Sequence, residues 1–218
     1  HHECEIAQSE CATGKPFVKY WLHNNMVTVN GQKMGKSLGN FITLKEAFTK
    51  WKPPVIRFFI LQSHYRSTLD FSDEAVDAAG RGLEKLNNTV RNLHERLKAS
   101  THENAQPPFD LAQYKSAFLA AMDDDFNTPQ AIAVLFDLSR DVNQMLASNA
   151  PMNASSLRQI LDLYEELAGR ILGLSFGTEA KGDDAEIIDG LMRLILEIRS
   201  KIRAQKMYAL SDKIRSGL

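Results

Sequence analysis

The sequence predicts a mainly α-helical protein that begins with a short α/β segment and continues as an antiparallel helix bundle. Two patterns predict this fold class. From residue 43 onward, apolar residues recur at the three- and four-residue spacing of helices. Between residues 17 and 32, aromatic and β-branched residues gather around tight-turn signals. The 218 residues, 44% hydrophobic and 24% charged, have the composition of an ordinary globular protein.

The first elements follow from turn and strand signals. Residues 2–13 are predicted to form a helix that ends at Gly14. Residues 17–32 are predicted to form two short strands around Asn24-Asn25, with a tight turn at Asn30-Gly31. The chain is therefore expected to enter its helical part through a small strand-containing segment.

The later helices follow from caps and periodicity. Thr43 and Glu46 are predicted to form a capping box, and Pro53-Pro54 is expected to break the helix that they begin. Ser72 is predicted to cap a long helix over residues 73–98, which has one apolar face. The other predicted helices span residues 55–65, 110–123, 128–147, 153–174, 185–206 and 207–215, with a linker at 175–184. Four helices with short connections favour an up-down bundle.

Composition excludes several classes of protein. No apolar run approaches the roughly 18 residues of a membrane span, and no secretory signal is visible. Cys4 and Cys11 would lie about 10 Å apart along a helix, which is too far for a disulfide. A reduced, cytoplasmic compartment is therefore expected. Because the net charge is −1, any contact with nucleic acid must come from local basic patches.

The segment "GQKMGKSLGN", residues 31–40 and hereafter the lysine loop, points to an anionic ligand. Lysine is a compact charge on a flexible stem and suits phosphate oxygens. Lys33 and Lys36 are three residues apart, so a single turn would direct both at one anion, and Ser37 adds a hydroxyl donor. The alternative is a solvated surface loop, in which lysines are common.

The first five residues, "HHECE", suggest a metal site. His1 and Glu5 are four residues apart and would share one helix face, which Cys4 also reaches. Imidazole nitrogen and carboxylate oxygen are both good zinc ligands, although a tetrahedral site needs four ligands. The alternative is the polar beginning of an ordinary surface helix.

Two further sets of residues suggest contact with nucleic acid. Arg199, Arg203 and Lys206 fall on one side of the last long helix, which suits a phosphate backbone or, alternatively, an ordinary solvated face. Arg66 follows His64 and Tyr65 directly after a predicted buried helix. From the residues alone, these two aromatic residues are candidates for packing the junction between modules, whereas a nucleic-acid contact of this segment is what the resemblance described below implies.

Taken together, the motifs resemble those of cysteinyl-tRNA synthetases, a class I aminoacyl-tRNA synthetase family. The resemblance covers nearly the whole chain and is carried, in order, by "HHECEIAQSECATG", "YWLHNNMVTVNGQKMGKSLGNF", "RFFILQSHYRSTLDFS" and "DDFNTPQAIAVLF". It implies that residues 1–32 end a nucleotide-binding catalytic domain. It further implies a lysine loop and stem-contact region at 33–71, a DALR-like helix bundle at 72–176 and the start of an anticodon-binding tail at 183–218.

The resemblance also implies a reaction: ATP-dependent activation of cysteine to cysteinyl-adenylate, followed by transfer to tRNA(Cys). Lys33 and Lys36 match the catalytic lysines of the family's KMSKS loop, and Lys36 with Ser37 would bind ATP, which carries magnesium. Gly35 stands where the family usually has serine. His1 and Glu5 match two of four zinc ligands, the other two being cysteines that lie upstream in the family. Residues implied to contact tRNA are Arg66, Arg199, Arg203 and Lys206.

The resemblance sets expectations for the chain by itself. The family's HIGH motif, the first half of its nucleotide-binding fold and the two ligand cysteines are not in the sequence. We therefore expect a C-terminal fragment that is inactive alone, with an incomplete zinc site and a mobile lysine loop. The whole enzyme is expected to be a cytoplasmic monomer. The alternatives are a related ligase that joins cysteine to an amino-sugar and a non-catalytic RNA-binding helix bundle.

Overall fold

The computed structural model describes residues 1–98, 109–148 and 153–174, together with positions 195 and 198. The chain divides into two units, residues 1–177 and 178–218, and all the elements named below lie in the first. The helices are α1 (Glu3–Thr13), α2 (Leu44–Lys50), α3 (Pro53–Leu61), α4 (Asp73–Lys98), α5 (Leu111–Asp123), α6 (Thr128–Ala147) and α7 (Ala154–Tyr164). The strands are β1 (Val27–Val29), β2 (Gln32–Lys33) and β3 (Leu69–Phe71).

Local capping explains where several helices begin, as the sequence predicted. Thr43 Oγ1 accepts a hydrogen bond from Glu46 N at 3.1 Å, and Glu46 Oε2 accepts one from Thr43 N at 2.8 Å, which completes the capping box of α2. Ser72 Oγ accepts from Ala75 N at 3.2 Å at the start of α4. At the start of α6, Asn127 caps the helix through its side chain. The predicted bounds of α4 are confirmed.

The helices bury their apolar faces against one another. α4 packs against α3, α6 and α7, and α5 packs against α6, to which a four-residue corner at 124–127 joins it. The apolar face predicted for α4 is buried except at Leu97, which is half-buried. This face consists of Val76, Ala79, Leu83, Leu86, Val90, Leu93 and Leu97. The largest fully buried side chains include Tyr164, Phe58, Phe118, Leu86, Leu93 and Leu135. This arrangement confirms a mainly α-helical fold with a helix bundle.

A three-stranded sheet in the order β2-β1-β3 supports the lysine loop. β1 and β2 are antiparallel and joined by the predicted turn, in which Asn30 and Gly31 have φ values of 51° and 75°. β1 and β3 are parallel, with Val27 opposite Leu69 and Val29 opposite Phe71. The sheet therefore ties the start of the lysine loop to the segment that leads into α4.

Two predictions about secondary structure were wrong. Residues 17–23 do not form a strand, because a strand needs a neighbour for its backbone hydrogen bonds and none of the described residues pairs with them. The third helix begins at Pro53 and ends at Leu61, instead of spanning 55–65. The N–H groups of the first turn of a helix have no partner within the helix, so a proline there costs no hydrogen bond. Pro53 and Pro54 therefore follow the end of α2 and begin α3.

Several predicted features lie outside the described residues: the linker at 175–184 and most of the two last helices. Positions 195 and 198 are helical, as predicted. The predicted helix over 153–174 is found as α7, which continues as a π-helical segment, Glu165–Ile171. The four-part domain division remains a prediction.

Candidate functional site

The base of the lysine loop is fixed by Asp70 on β3. Asp70 Oδ1 accepts hydrogen bonds from Thr28 Oγ1 at 2.6 Å and from Gly31 N at 2.7 Å. These two bonds, that from Thr28 first, lower the pKa of the Asp70 carboxyl. The carboxylate therefore stabilises the left-handed turn from which the loop emerges.

The loop presents its charged residues to solvent. Lys33 ends β2, whereas Lys36 begins a short 3-10 turn, Lys36–Leu38, which Gly39 closes with a φ of 67°. Lys33, Lys36 and Ser37 are all exposed, and Lys36 Nζ lies 5.6 Å from the centroid of the Phe41 ring. The expectation that one turn carries both lysines was wrong, because the extended backbone of Gly35 separates the two elements.

Three imidazoles gather at the start of the chain. The ligand atoms of His1, His2 and His23 all lie within 4.8 Å of one another. His2 also stacks on Trp21, with ring centroids 5.0 Å apart. We call His1, His2 and His23 the histidine cluster. Three imidazoles at this separation are a donor set that suits zinc.

The predicted partner Glu5 lies next to this cluster. Glu5 Oε1 approaches His2 Nδ1 to 3.7 Å. His1 precedes the helix, which begins at Glu3, so His1 and Glu5 do not share a helix face as expected. Cys4 and Cys11 are exposed free thiols. The imidazole and carboxylate donors named from the sequence thus lie in one region, with His2 between them.

The segment after α3, residues 63–67 and hereafter the junction loop, is bound to the helix bundle. Arg66 Nε lies 2.7 Å from Asp125 Oδ2, and Tyr65 OH donates to Asp125 Oδ1 at 2.6 Å. His64 Nε2 lies 4.0 Å from the same carboxylate. The hydrogen bond from Tyr65, followed by that from Arg66, lowers the pKa of Asp125.

The junction loop is also bound to the strand segment. Asn25 N donates to Tyr65 O at 2.8 Å, and Asn25 Nδ2 donates to Arg66 O at 2.9 Å. Arg66 is therefore bonded to a carboxylate, and Tyr65 links the strand segment to the corner at 124–127. The contact of Arg66 with RNA remains a prediction. The other predicted RNA contacts, Arg199, Arg203 and Lys206, lie outside the described residues.

The sequence interpretation did not name His23 or Asn40, and it gave Asp125 no part in a contact. Asn40 directly follows a turn at Gly39, and asparagine side chains commonly bond to backbone near turns, so that signal could have singled it out. His23 is brought to His1 only by the path of the chain, and no local pattern predicts this.

In the parts of the chain that the structure describes, no helix is long and apolar enough to cross a membrane.

Comparison with known proteins divides the chain into two matched regions. The family model for the tRNA synthetases class I (C) catalytic domain matches residues 1–81, and that for the DALR domain matches residues 117–177. The first region contains the histidine cluster and the lysine loop, and the second contains α6 and α7. Both matched regions are therefore similar to parts of tRNA synthetases, and the first is similar to a class I catalytic domain.

Individual relatives indicate which tRNA synthetases the chain resembles. The cysteine–tRNA ligase of Chlorobium chlorochromatii is 49% identical over 223 residues, and that of Pelotomaculum thermopropionicum is 45% identical over 237 residues. Each alignment covers 100% of this chain but only 45% and 48% of the respective relative. The chain thus spans about half the length of the curated relatives it matches. Over its whole length, the chain is therefore similar to about half of a cysteine–tRNA ligase.

Proposed function

We propose that the chain serves, within a whole enzyme, in the ATP-dependent activation of cysteine and its transfer to tRNA(Cys). The observation that supports this most directly is the presence of an exposed lysine loop and a histidine cluster in the region matched by a class I (C) catalytic domain. The relatives described above share the cysteine–tRNA ligase name, which favours this function over an amino-sugar ligase.

Lys33, Lys36 and Ser37 are proposed to act on the phosphates of ATP, which binds with magnesium. Their exposure leaves the charged groups accessible to a ligand. Adenylate formation moves negative charge onto the leaving pyrophosphate, and fixed positive charge near that group lowers the barrier. Lys36, at the tip of the loop, is proposed as the principal residue for this stabilisation.

His1 and Glu5 are proposed as ligands of a zinc ion, and the donor set around them fits that metal. His2 and His23 supply further imidazoles within reach of His1. Zinc, when bound, would hold the thiolate sulfur of cysteine and thereby discriminate against the serine hydroxyl, because sulfur is the better ligand for this metal. The side chains of this chain would hold the ion in place.

Recognition of tRNA is proposed to involve Arg66 together with Arg199, Arg203 and Lys206. The charge of Arg66 is shared with Asp125, so its contact with a phosphate would be weaker than that of an unpaired arginine. A role in supplying charged tRNA for translation further implies a cytoplasmic enzyme. We propose that this enzyme is a monomer and that the chain is inactive by itself.

The experiment that tests this proposal is Lys36→Ala in the whole enzyme, measured by pre-steady-state formation of cysteinyl-adenylate at several cysteine concentrations. Removal of one charged donor that acts only in the transition state typically lowers the rate by about 10²–10³. The apparent affinity for cysteine is expected to stay unchanged, since Lys36 does not bind the amino acid.

Lys45→Ala is the matched control, because Lys45 is also exposed but lies on α2, outside the lysine loop. Its adenylation rate is expected to equal that of the unaltered enzyme. An intact rate in Lys36→Ala would mean that the lysine loop is only a solvated surface loop.

A further inference from the structure

The side chain of Asn40 forms a bridge across the lysine loop. Its Oδ1 accepts a hydrogen bond from Gly35 N at 2.9 Å, and its Nδ2 donates one to Lys33 O at 3.1 Å. Both partners are backbone groups, and they flank Met34. One half-buried amide group therefore holds two neighbouring peptide units of the loop.

We propose that Asn40 is a positioning residue that holds the backbone from Lys33 to Gly35 in the conformation that presents Lys36. This inference rests on the proposed function of the loop and identifies what sets its conformation. Asn40 touches neither the phosphates nor the zinc ligands in this role. It acts through the backbone that precedes Lys36.

The other hydrogen bonds of the loop explain why this bridge matters. The tip is closed locally, since Leu38 N donates to Gly35 O at 3.0 Å and Gly39 N donates to Lys36 O at 3.3 Å. Between the base and this tip, Met34 N reaches Val27 O only at 3.4 Å, near the limit of a hydrogen bond. The two shorter hydrogen bonds of Asn40, to Gly35 N and Lys33 O, are therefore the main interactions that hold the tip of the loop to the sheet.

The chemistry of the bridge calls for an amide. Gly35 offers an N–H donor and Lys33 a carbonyl acceptor, so the bridging group must accept and donate at once. A carboxylate would bond to the N–H but would repel the carbonyl oxygen. Glutamine has both groups but is one methylene longer, which moves them out of register with the two peptide units.

The bridge affects catalysis by restricting the conformations of the loop. Without it, the loop would spend more time in arrangements that do not direct Lys36 at the ligand. The fraction of competent molecules then falls, and the rate falls in proportion. Cysteine binding takes place elsewhere and is not expected to change.

The first test measures loop opening directly in the 218-residue chain. Trypsin cuts after lysine, and cleavage requires the backbone at Lys33 or Lys36 to leave its folded conformation. Asn40→Ala removes two hydrogen bonds and is expected to raise the rates of cleavage after these lysines about tenfold. Asn40→Asp keeps one bond and is expected to give an intermediate rate.

The control for this test is Asn88→Ala, an exposed asparagine on α4, which should leave the cleavage rates unchanged. Far-ultraviolet circular dichroism checks that each variant retains its helices. Unchanged cleavage after Lys33 and Lys36 in Asn40→Ala would overturn the proposal.

The second test separates a positioning role from a merely structural one in the whole enzyme. Asn40→Ala is expected to lower kcat for adenylate formation about tenfold while KM for cysteine stays constant. A raised KM with an unchanged kcat would overturn the proposal. If Asn40→Ala raises cleavage by trypsin but Lys36→Ala leaves adenylation intact, Asn40 does hold the backbone of the loop. The proposed function of the loop in adenylate formation would then be wrong.

Discussion

The three glycines of the lysine loop differ in what their backbone requires. Gly31 and Gly39 have φ values of 75° and 67°, in the left-handed region that other residues rarely adopt. Gly35 has a φ of −163° and a ψ of 142°, which any residue adopts readily. A glycine at position 35 is therefore not required by the conformation of the loop.

Gly35→Ser is accordingly expected to stiffen the lysine loop without strain. A side chain at this position meets Leu38 Cδ1 at 3.8 Å, an ordinary van der Waals contact. Replacement of a permissive glycine at a compatible site restricts the unfolded and open states, by about 0.4–1 kcal/mol. Tryptic cleavage after Lys36 should therefore slow about two- to fivefold.

Gly39→Ala is expected to have the opposite effect on tryptic cleavage. Its left-handed backbone would be strained by about 1–2 kcal/mol with a Cβ present, so cleavage after Lys36 should accelerate. If Gly35→Ser also accelerated cleavage, the extended conformation of Gly35 would be the wrong basis for predicting its effect.

At the scale of elements, the α5–α6 corner is bound to the junction loop by one carboxylate. The corner is itself unusual, because Asp125 and Phe126 both have positive φ values, 55° and 54°. Asparagine and aspartate tolerate this region better than phenylalanine does. The contacts of Asp125 with Tyr65 and Arg66 help to hold the corner in place.

This contact predicts a dependence of stability on acid. Because the folded state lowers the pKa of Asp125, its contribution is complete above the ordinary pKa of about 3.9 and is lost as the pH falls through the lower folded value. Asp125→Asn should lower Tm at neutral pH, and the difference from the unaltered chain should shrink below about pH 4.

Thermal unfolding between about pH 2.5 and 7 measures this difference. The exposed Asp123→Asn is the control and should show no such convergence with the unaltered chain. A Tm difference that stays constant down to the lowest pH would exclude ionisation of Asp125 as its cause.

At the scale of the whole molecule, the bundle encloses a tyrosine hydroxyl. Tyr164 is 1% exposed, and its OH lies 2.6 Å from Ser139 Oγ, which donates to Leu135 O at 2.8 Å. Burial raises the pKa of Tyr164 well above its usual range. Burial, with a hydrogen bond to Asp141, likewise raises the pKa of Tyr114 to about 12.

These tyrosines predict unfolding by alkali. The stability they contribute is complete below the ordinary tyrosine pKa of about 10 and is lost as the pH rises toward the higher folded values, because the unfolded state releases its protons first. Tyr164→Phe should cost about 1 kcal/mol at neutral pH and should make the free energy of unfolding fall less steeply above about pH 10.

Urea unfolding at several pH values measures both effects. Tyr20→Phe is the control, since Tyr20 is 82% exposed. Its alkaline profile should match that of the unaltered chain. The same steep fall in Tyr164→Phe would show that other groups cause the alkaline unfolding.

The parts of the fold that the sequence predicted are those decided locally. The helices and the Asn30-Gly31 turn depend on periodicity, caps and left-handed residues that lie within a few positions of one another. The strand predicted at 17–23 failed because its hydrogen bonds must come from elsewhere. Likewise, His1 and Lys36 could be identified from sequence motifs. The roles of His23 and Asn40 could not, because the folded path of the chain brings His23 to His1 and Asn40 to the backbone before Lys36.

Residues 17–23 pair with no strand among the described residues, and this has a practical consequence for handling the chain. Its side chains Tyr20, Trp21 and Leu22 are 82%, 45% and 55% exposed. An exposed stretch with apolar side chains and no neighbouring strand can pair with a strand of another molecule, which natural sheets avoid at their edges. We therefore expect purified preparations of the chain to self-associate increasingly as they are concentrated, and mild detergent or added charge at Leu22 to keep them dispersed.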